Sequence, residues 1–372
     1  MSEGESGSNP WSYVVDLGVR SYPVYVGTGL LRKVGPLVKR KLPDVENCAV
    51  VTSELILETH GEALLKSLRE AGIREGTVLV PDGEAAKSWS AAEELIGDLL
   101  ELGLDRKSAV IAFGGGAVGD LAGFVASIYL RGVGLVQVPT TLLAQVDSSL
   151  GGKTAVNHPK GKNLIGSFHQ PSLVVSDPSV LRTLPREELL SGLGEVVKHG
   201  VIADAALFNF IEDKAGPLVE ADLSALVHVV KKSVAIKGGL VSVDEKDNKG
   251  IRAILNYGHT TGHALEILSK HELRHGEAVA LGMIVASRLS NRLGLITILD
   301  IERQRKLLEA LGFRLTPPKL GSTEIVEIMH KDKKAVGESI RFVLPTGIGR
   351  TPVLRPVSET LIIQSLEDEG YG

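Results

Sequence analysis

The chain has 372 residues, of which 43% are hydrophobic and 4% aromatic, with 42 glycines and a formal net charge of −4. This length favours two domains over one, and the balanced charge gives no support for a nucleic-acid partner, which would favour clustered basic residues. The single cysteine, Cys48, excludes an intramolecular disulfide and a thiolate metal site, and its apolar neighbours predict a buried side chain.

The first ten residues, MSEGESGSNP, are polar and rich in glycine and serine. They lack the basic and apolar regions of a signal peptide, and no apolar run in the chain approaches the length of a membrane span. We therefore predict a cytoplasmic protein with a disordered leader over residues 1–10.

Short apolar runs alternate with helical patterns through residues 11–184. The predicted strands are YVVDLG, YPVYVG, NCAVVTS, TVLVPDGE, SAVIAFGGG, GLVQVPTT and SLVVSDP, and the helices include ETHGEALLKSLREAG and AAEELIGDLLELG. This alternation predicts an α/β domain with a parallel sheet covered by helices. Residues 185–372 carry long helical patterns and one isolated strand, IRFVLP, so we predict a mostly α-helical second domain that begins near Pro178 to Pro185.

The segment SAVIAFGGGAVGDLAGF places Gly114, Gly116 and Gly119 in a G-x-G-x-x-G frame between a strand and a helix. Glycines there let the backbone approach a phosphate pair, and the helix N-terminus supplies N–H donors. Ordinary strand-to-helix turns share this pattern. The position about 20 residues on holds Arg131 and Gly132 rather than an acid, so we predict dinucleotide binding outside the standard Rossmann arrangement.

A second candidate phosphate loop, DSSLGGKTAV, ends in Gly-Lys-Thr as a P-loop does. The P-loop frame requires a glycine where this chain has Asp147, so we reject a nucleoside-triphosphatase. What remains is either a solvated loop or one edge of a binding site. Its polar and basic members are Asp147, Lys153, Asn157, Lys160, Lys162 and Asn163.

The segment GHTTGHALE places His259 and His263 on one face of a helix, and His275 follows in LRHGEAVALGM. Sixteen positions (275 − 259) along one helix would span about 24 Å, so a chain break in SKHELRHG must fold His275 back for a shared site. Two imidazoles and one carboxylate would form a catalytic type of metal site, and Glu195 is the most suggestive carboxylate because it requires a metal or Lys198 as its positive partner. Ordinary surface or core histidines are the alternative.

Four blocks of the sequence, in this order, resemble 3-dehydroquinate synthases. They are GGGAVGDLAGFVASIYLRG, VPTTLLAQVDSSLGGKTAVNHPKGKNLIGSFHQP, GLGEVVKHG, and GHTTGHALE followed by LRHGEAVALGM. With weaker matches at each end, the resemblance covers nearly the whole chain. It implies a Rossmann-like NAD-binding α/β domain over residues 11–184, a mostly helical metal- and substrate-binding domain over residues 185–372, and a homodimer.

The resemblance also implies an activity, the conversion of 3-deoxy-D-arabino-heptulosonate 7-phosphate into 3-dehydroquinate and phosphate on the shikimate route to aromatic amino acids. A phosphate-eliminating carbon–oxygen lyase of this kind uses NAD and Zn²⁺ (or Co²⁺). NAD, regenerated in each turnover, would oxidise a secondary alcohol of the sugar phosphate, and phosphate would leave by β-elimination. Re-reduction and an intramolecular aldol closure would complete the reaction.

Residue roles are carried over by the same resemblance. The implied metal ligands are Glu195, His259 and His275, with His263 left as an acid–base or positioning group. The residues that match catalytic or substrate-contacting positions are Asp147, Lys153, Lys162, Asn163, Lys198, Lys237, Arg252, Asn256 and Arg131, the last reaching substrate phosphate from the neighbouring subunit. The residues that match NAD contacts are Asp82, Gly83, Glu84, Lys87, Gly115, Gly116, Val118, Gly119, Asp120, Thr140, Thr141, Lys153, Lys162 and Thr183.

One segment departs from the family pattern. The family has a glutamate in a segment like DEKE-x-GLR, whereas this chain reads DEKDNKGIR, one residue longer, with Asp247 and Asn248 near that place. Either Asp247 fills the role or the network is rewired. We assign neither residue to catalysis.

Three other functions are weighed against the synthase. A related sugar-phosphate cyclase acts on substrates without a carboxylate, and Arg252 and Lys237, as carboxylate holders, argue against it. A polyol dehydrogenase of the wider fold family would release NADH, which the lysines of DSSLGGKTAVNHPKGKN disfavour. The intact metal-ligand set argues against a degenerate NAD- or metal-binding regulator.

Overall fold

The structure is a computed structural model that describes residues 10–270, 272–332 and 339–372. The predicted leader lies outside these ranges apart from Pro10. Within the described ranges, no helix is both long and apolar enough to cross a lipid bilayer.

The chain divides into two compact units. The first contains Met1–Thr183 and Lys237–Glu245, and the second contains Leu184–Ile236 and Lys246–Gly372. The first is an α/β unit and the second is mostly helical, so the predicted fold class is confirmed.

Strands and helices alternate through the first unit. In chain order they are β1 (Trp11–Val15), β2 (Tyr22–Val26), α1 (Val34–Lys41), β3 (Asn47–Thr52), α2 (Glu54–Glu70), β4 (Arg74–Leu79), α3 (Trp89–Glu101), β5 (Ala109–Gly114), α4 (Gly116–Ile128), β6 (Gly134–Pro139), β7 (Lys153–His158), β8 (Gly161–Phe168) and β9 (Leu173–Ser176). Seven of these strands form one sheet in the order β1-β2-β9-β6-β5-β3-β4. Only the β1–β2 pair of this sheet is antiparallel.

The central strands of this sheet are nearly continuous apolar runs because helices cover them. Every residue of β5 and β9 is buried, α1 packs against α2, and α3 packs against α4. The chain runs from β3 outward to β4 and then returns to β5 on the other side of β3, so the strand order reverses between β3 and β5. In open parallel sheets, ligands bind beyond the carboxyl ends of the strands at such a reversal.

The polar segment after Asp147 is neither a solvated loop nor a helix. Its residues form the antiparallel hairpin β7–β8, in which Val156 pairs with Ile165. Burial alternates along β8, so Lys162, Leu164 and other even-numbered residues are exposed on one face. The sequence analysis missed these strands because lysine, asparagine and glycine interrupt the apolar pattern on which strand prediction depends.

The second unit is built mainly from helices. In chain order its elements are α5 (Arg186–Ala203), α6 (Ala205–Asp213), α7 (Ala215–Val219), α8 (Leu223–Val243), α9 (His259–Leu268), α10 (His275–Arg292), α11 (Ile298–Leu311), α12 (Ser322–Asp332), β10 (Ile340–Leu344), β11 (Val353–Val357) and α13 (Glu359–Asp368). The last residues of α8, from Lys237 onward, belong to the first unit. The prediction of one isolated strand is wrong, because β10 pairs with β11, whose Arg355 and Pro356 obscure the strand pattern.

Glycines let α10 approach α5 and α9 very closely. A Cβ atom at Gly282 of α10 would lie 1.9 Å from the backbone oxygen of Gly258, and one at Gly276 would lie 2.4 Å from the Cα atom of Ser191 in α5. A side chain at either position would force the helix backbones apart. These two contacts therefore fix how the helices of the second unit cross.

We expect Gly282→Ala to destabilise the protein by about 1–3 kcal/mol or more, because backbone atoms cannot move aside for the added methyl group. Gly97→Ala is the matched control, since Gly97 lies inside α3 and a Cβ atom there meets nothing within 4 Å. That change should stabilise the protein by roughly 0.5–1 kcal/mol. Urea unfolding measures both free energies, and a Gly282→Ala protein as stable as the wild type would contradict the packing argument.

Candidate active site

Three predicted metal ligands converge at one point in the second unit. Glu195 lies in α5, His259 is the first residue of α9, and His275 is the first residue of α10. One ligand atom from each lies within 4.8 Å of the others. The Nε2 atoms of His259 and His275 are 3.4 and 3.3 Å from the same Glu195 Oε1 atom. His259 and His275 are sixteen positions apart in the sequence. Their rings still lie close together, because the chain turns between α9 and α10.

The other ring nitrogen of each histidine has its own partner. The Nδ1 atom of His259 is 3.1 Å from the backbone oxygen of Tyr257, and the Nδ1 atom of His275 is 3.1 Å from Oε1 of Glu266. Because an oxygen acceptor holds the proton on Nδ1, the Nε2 atom of each ring is available as a ligand. Two imidazole nitrogens and one carboxylate form a donor set that suits Zn²⁺ or Co²⁺ with an open position.

Buried charge at this site is balanced by Lys198. Its ammonium group pairs with Oε2 of Glu195, and both side chains are 1% exposed. Burial by itself raises the pKa of the Glu195 carboxyl, but Lys198 and His259 outweigh that effect and hold the pKa well below its ordinary value. Glu195 is therefore an anion, the form that binds a cation.

The two histidine ligand candidates have different charge states at neutral pH. Burial lowers the pKa of His259 to about 4, so its ring is neutral. Burial also acts to lower the pKa of His275, but the carboxylates of Glu195 and Glu266 raise it to about 9. A metal ion therefore replaces one proton, carried by His275.

His263 belongs to the same cluster of rings without joining the ligand group. Its ring centroid is 5.4 Å from that of His259 and 6.5 Å from that of His275. His199, which the sequence analysis did not single out, is a fully buried imidazole in α5 with a nitrogen within 4.8 Å of a Glu195 carboxylate oxygen. Burial lowers its pKa to about 3, so it is neutral. The only sequence signal for it was its place after Lys198 in GLGEVVKHG.

Two predicted substrate contacts lie in the turn before α9. Arg252 and Asn256 begin and end the 3₁₀-helix Arg252–Asn256, three residues before His259. Arg252 is 3% exposed, whereas Asn256 is exposed. Asp247, in the segment that departs from the family pattern, is half-buried with φ 52°, and no catalytic role is assigned to it.

Apart from Lys153 and Lys162, which lie on the hairpin β7–β8, the predicted NAD contacts follow the carboxyl ends of four strands. Residues 82–87 follow β4, residues 115–120 follow β5, residues 140–141 follow β6, and Thr183 follows β9. This is the edge at which the strand reversal favours ligand binding. Thr183 also has a partner that the sequence analysis missed, because its Oγ1 atom is 2.8 Å from Nε2 of His60 on α2.

A partly buried ion pair connects two of these segments to the hairpin. The Nζ atom of Lys87 is 2.6 Å from Oδ2 of Asp120 and also donates to the side-chain oxygen of Asn163 on β8. Burial raises the pKa of Asp120, and Lys87 opposes that rise. Lys87, Asp120 and Asn163 are therefore brought together as one polar cluster.

The glycine-rich turn has a packing reason as well as a binding one. A Cβ atom at Gly116 would lie 2.8 Å from Oγ of Ser148, and one at Gly119 would lie 2.8 Å from Oε1 of Gln137. Gly115 is the N-cap of α4, so the free N–H groups of the helix lie at this turn. A larger residue in place of Gly116 or Gly119 would therefore displace the side chain of Ser148 or Gln137.

The remaining predicted residues of the first unit fall into two groups. Asp147 lies in the π-helical turn Ala144–Ser148 and pairs with Lys237, whose Nζ atom is also 2.7 Å from the Asp147 backbone oxygen. Lys153 and Lys162 are exposed on the hairpin, and Arg131 is exposed after α4 with φ 69°.

Two solved structures of similar fold each contain NAD⁺ and a divalent metal ion. A crystal structure of 2-deoxy-scyllo-inosose synthase complexed with carbaglucose-6-phosphate, NAD⁺ and Co²⁺ is 28% identical, with a TM-score of 0.87 over 96% of this chain and 100% of that chain. ValA, a 2-epi-5-epi-valiolone synthase from Streptomyces hygroscopicus subsp. jinggangensis 5008 with NAD⁺ and Zn²⁺ bound, is 25% identical, with a TM-score of 0.85 over 99% of this chain and 98% of that chain. Fold and site together define a protein of the sugar-phosphate cyclase class.

Within that class, the chain belongs to the 3-dehydroquinate synthase family. The family profile described as 3-dehydroquinate synthase N-terminal matches residues 77–191, and the C-terminal profile matches residues 192–335. A 3-dehydroquinate synthase from Symbiobacterium thermophilum is 46% identical over 355 residues, which cover 95% of this chain and 99% of the relative. The family predicted from the sequence motifs is confirmed.

Protonated His275 should make the stability of the metal-free protein depend on pH. Its pKa is about 9 in the folded protein and 6.5 in the unfolded chain, so the stabilisation is complete below pH 6.5 and lost as pH rises through 9. We expect the wild type to exceed His275→Gln in free energy of unfolding at pH 6, and the difference to shrink by pH 10. Urea unfolding with a chelator measures this difference, and a difference that is constant with pH would contradict the pKa assignment.

Proposed function

We propose that this protein converts 3-deoxy-D-arabino-heptulosonate 7-phosphate into 3-dehydroquinate and phosphate, as a step of the shikimate route. The proposal rests above all on the convergence of Glu195, His259 and His275 beside Lys198, in a chain 46% identical to a 3-dehydroquinate synthase. The matching family profiles cover residues 77–335, which include part of each unit. The cytoplasmic location stays a prediction from the sequence.

Glu195, His259 and His275 hold a divalent cation in this proposal, and the residues after β4, β5, β6 and β9 hold NAD⁺. The bound groups supply a Lewis acid and a hydride acceptor for the reacting alcohol. Two similar proteins have NAD⁺ with Co²⁺ or Zn²⁺ bound, and the donor set here suits either ion. Because NAD⁺ is regenerated, no net oxidation accompanies turnover.

The remaining polar residues of the second unit hold the substrate and move protons. Lys198 keeps a positive charge beside the Glu195 carboxylate, where it also attracts substrate oxygens. Arg252, buried just before α9, binds the substrate carboxylate with its planar guanidinium group. His263, which adjoins both ligand histidines without joining them, accepts or donates a proton.

The first unit contributes phosphate-binding groups and Lys237. Lys153, Lys162 and Asn163 lie on the hairpin β7–β8 and bind the substrate phosphate in this proposal. Lys237 has Asp147 as its partner, which fixes its ammonium group in place for the substrate carboxylate. The predicted roles of these residues rest on the family resemblance and on their placement in these elements.

Product analysis tests the proposed reaction. With catalytic NAD⁺ and Co²⁺, the protein should release phosphate from 3-deoxy-D-arabino-heptulosonate 7-phosphate and form 3-dehydroquinate, without accumulation of NADH. Glucose 6-phosphate, which has no carboxylate, is the control substrate and should release none. Phosphate release from glucose 6-phosphate would favour a different sugar-phosphate cyclase, and steady NADH formation would favour a polyol dehydrogenase.

We also propose that the protein acts as a homodimer. The first unit has five large apolar side chains that are at least 36% exposed, and these are Trp89, Ile128, Leu130, Leu164 and Phe168. A hydrogen bond of 2.8 Å between the Oγ atoms of Ser167 and Ser127 joins β8, which contains Leu164 and Phe168, to the end of α4, which contains Ile128. A second copy of the chain would bury these side chains, and Arg131, next to Leu130, would then reach the partner's site.

Mixing two inactive variants tests the exchange of Arg131 between subunits. Arg131→Ala removes an arginine that each subunit contributes to its partner's active site. His275→Ala removes a metal ligand of the subunit's own active site. If subunits exchange after brief partial denaturation, half of the dimers are mixed and each has one complete site, so activity should return to roughly 25% of the wild type. Each variant alone should stay inactive, and no recovery despite subunit exchange would contradict the proposal.

A further inference from the structure

To act as a metal ligand, the ring of His275 must be oriented so that Nε2 points towards the other ligands. His275 is the first residue of α10, its side chain is 30% exposed, and χ2 of histidine has a broad torsional preference, so the ring is not fixed by its own rotamer. Only one ring orientation aims Nε2 at Oε1 of Glu195, at the observed 3.3 Å. Some second contact must select that orientation.

Glu266 supplies that contact from the neighbouring helix. It lies in the last turn of α9, its side chain is 15% exposed, and its Oε1 atom is 3.1 Å from Nδ1 of His275. A carboxylate can only accept a hydrogen bond, so Glu266 keeps a proton on Nδ1, and Nε2 is the nitrogen whose proton a cation can displace. One contact thus sets both the ring orientation and the tautomer.

The two ligand histidines differ in the kind of acceptor behind them. His259 is held by a neutral acceptor, the backbone oxygen of Tyr257, at 3.1 Å. His275 is held by a charged one. A carboxylate behind an imidazole makes its distal nitrogen a stronger donor than a carbonyl does, and outer partners of this type typically contribute about 10–100-fold to metal affinity.

We infer that Glu266 is a positioning residue for the metal centre, which holds the ring of His275 in its ligand orientation and strengthens its Nε2 atom as a donor. The inference rests on the proposed function, because it requires that the Glu195, His259 and His275 group binds a cation. Glu266 itself is not a ligand, since it bonds the nitrogen of His275 that faces away from Glu195.

A simpler role for Glu266 would be to tie α9 to α10. That role predicts a loss of stability when the carboxylate is removed, with unchanged metal affinity in the molecules that remain folded. The positioning role predicts weaker metal binding and a changed ligand field. Stability and metal binding must therefore be measured on the same preparations.

The experiment compares Glu266→Gln and Glu266→Ala with the wild type and with Glu272→Gln. Glu272 is an exposed carboxylate between α9 and α10, so its change removes a nearby charge without touching His275. The dissociation constant of Co²⁺ is measured by chelator competition at fixed pH, and the visible absorption spectrum of the bound Co²⁺ reports its ligand geometry. Urea unfolding of the metal-free proteins reports their stability.

We expect Co²⁺ to bind about 10–100-fold more weakly to Glu266→Ala, with a shifted spectrum, and Glu266→Gln to fall between that variant and the wild type. Glutamine keeps the side-chain size and one acceptor oxygen, so this variant is informative even if alanine prevents folding. Glu272→Gln should match the wild type. Wild-type affinity and spectrum in Glu266→Gln or in a folded Glu266→Ala would overturn the inference, whatever happens to stability. A wild-type protein that binds no Co²⁺ would instead refute the metal site of the proposed function.

Discussion

The close crossing of α10 with α5 and α9 is the constraint on which the metal centre depends. A glycine adjoins each of the three candidate ligands in sequence, and these glycines are Gly194, Gly258 and Gly276. Cβ atoms there would meet backbone or side-chain atoms at 3.2 Å, 2.7 Å and 2.4 Å. The three ligand side chains start from backbones that almost touch, so short side chains can meet at a single point. Affinity for a cation therefore depends on the packing of the helix backbones as well as on the chemistry of the ligands.

Electrostatics then determines what the point of convergence can bind. A buried carboxylate without a partner would be costly, and Glu195 is kept anionic by Lys198 on the next turn of the same helix. One histidine is neutral and the other carries a proton that a cation can displace. The site thus offers one anionic oxygen and two imidazole nitrogens to a divalent ion. Hydrogen bonds on the outer ring nitrogens complete this preparation.

The sequence predicted most of the sheet and the histidine cluster because both leave strong local patterns. Buried strands such as β3 and β5 are continuous apolar runs, and His259 and His263 share a helical spacing. The hairpin β7–β8 and the strand β11 escaped prediction because polar residues, glycine or proline mask their pairing. Glu266 and His199 were not predicted as site residues, because tertiary contacts place them at the site and no spacing in the sequence marks them. No pattern in α8 marks Lys237–Glu245 as part of the first unit, since a helix has the same periodicity on either side of a unit boundary.

The ion pair between Lys198 and Glu195 also bears on how the enzyme is made in a cell. Small zinc domains stay unfolded until the ion arrives, because their ligands have nothing else to hold them. Here the negative ligand already has an internal counterion, and it is buried among other buried residues of α5. We therefore expect the polypeptide to fold during metal starvation and to remain as folded, metal-free protein. Resupply of the ion would then restore flux without new protein synthesis.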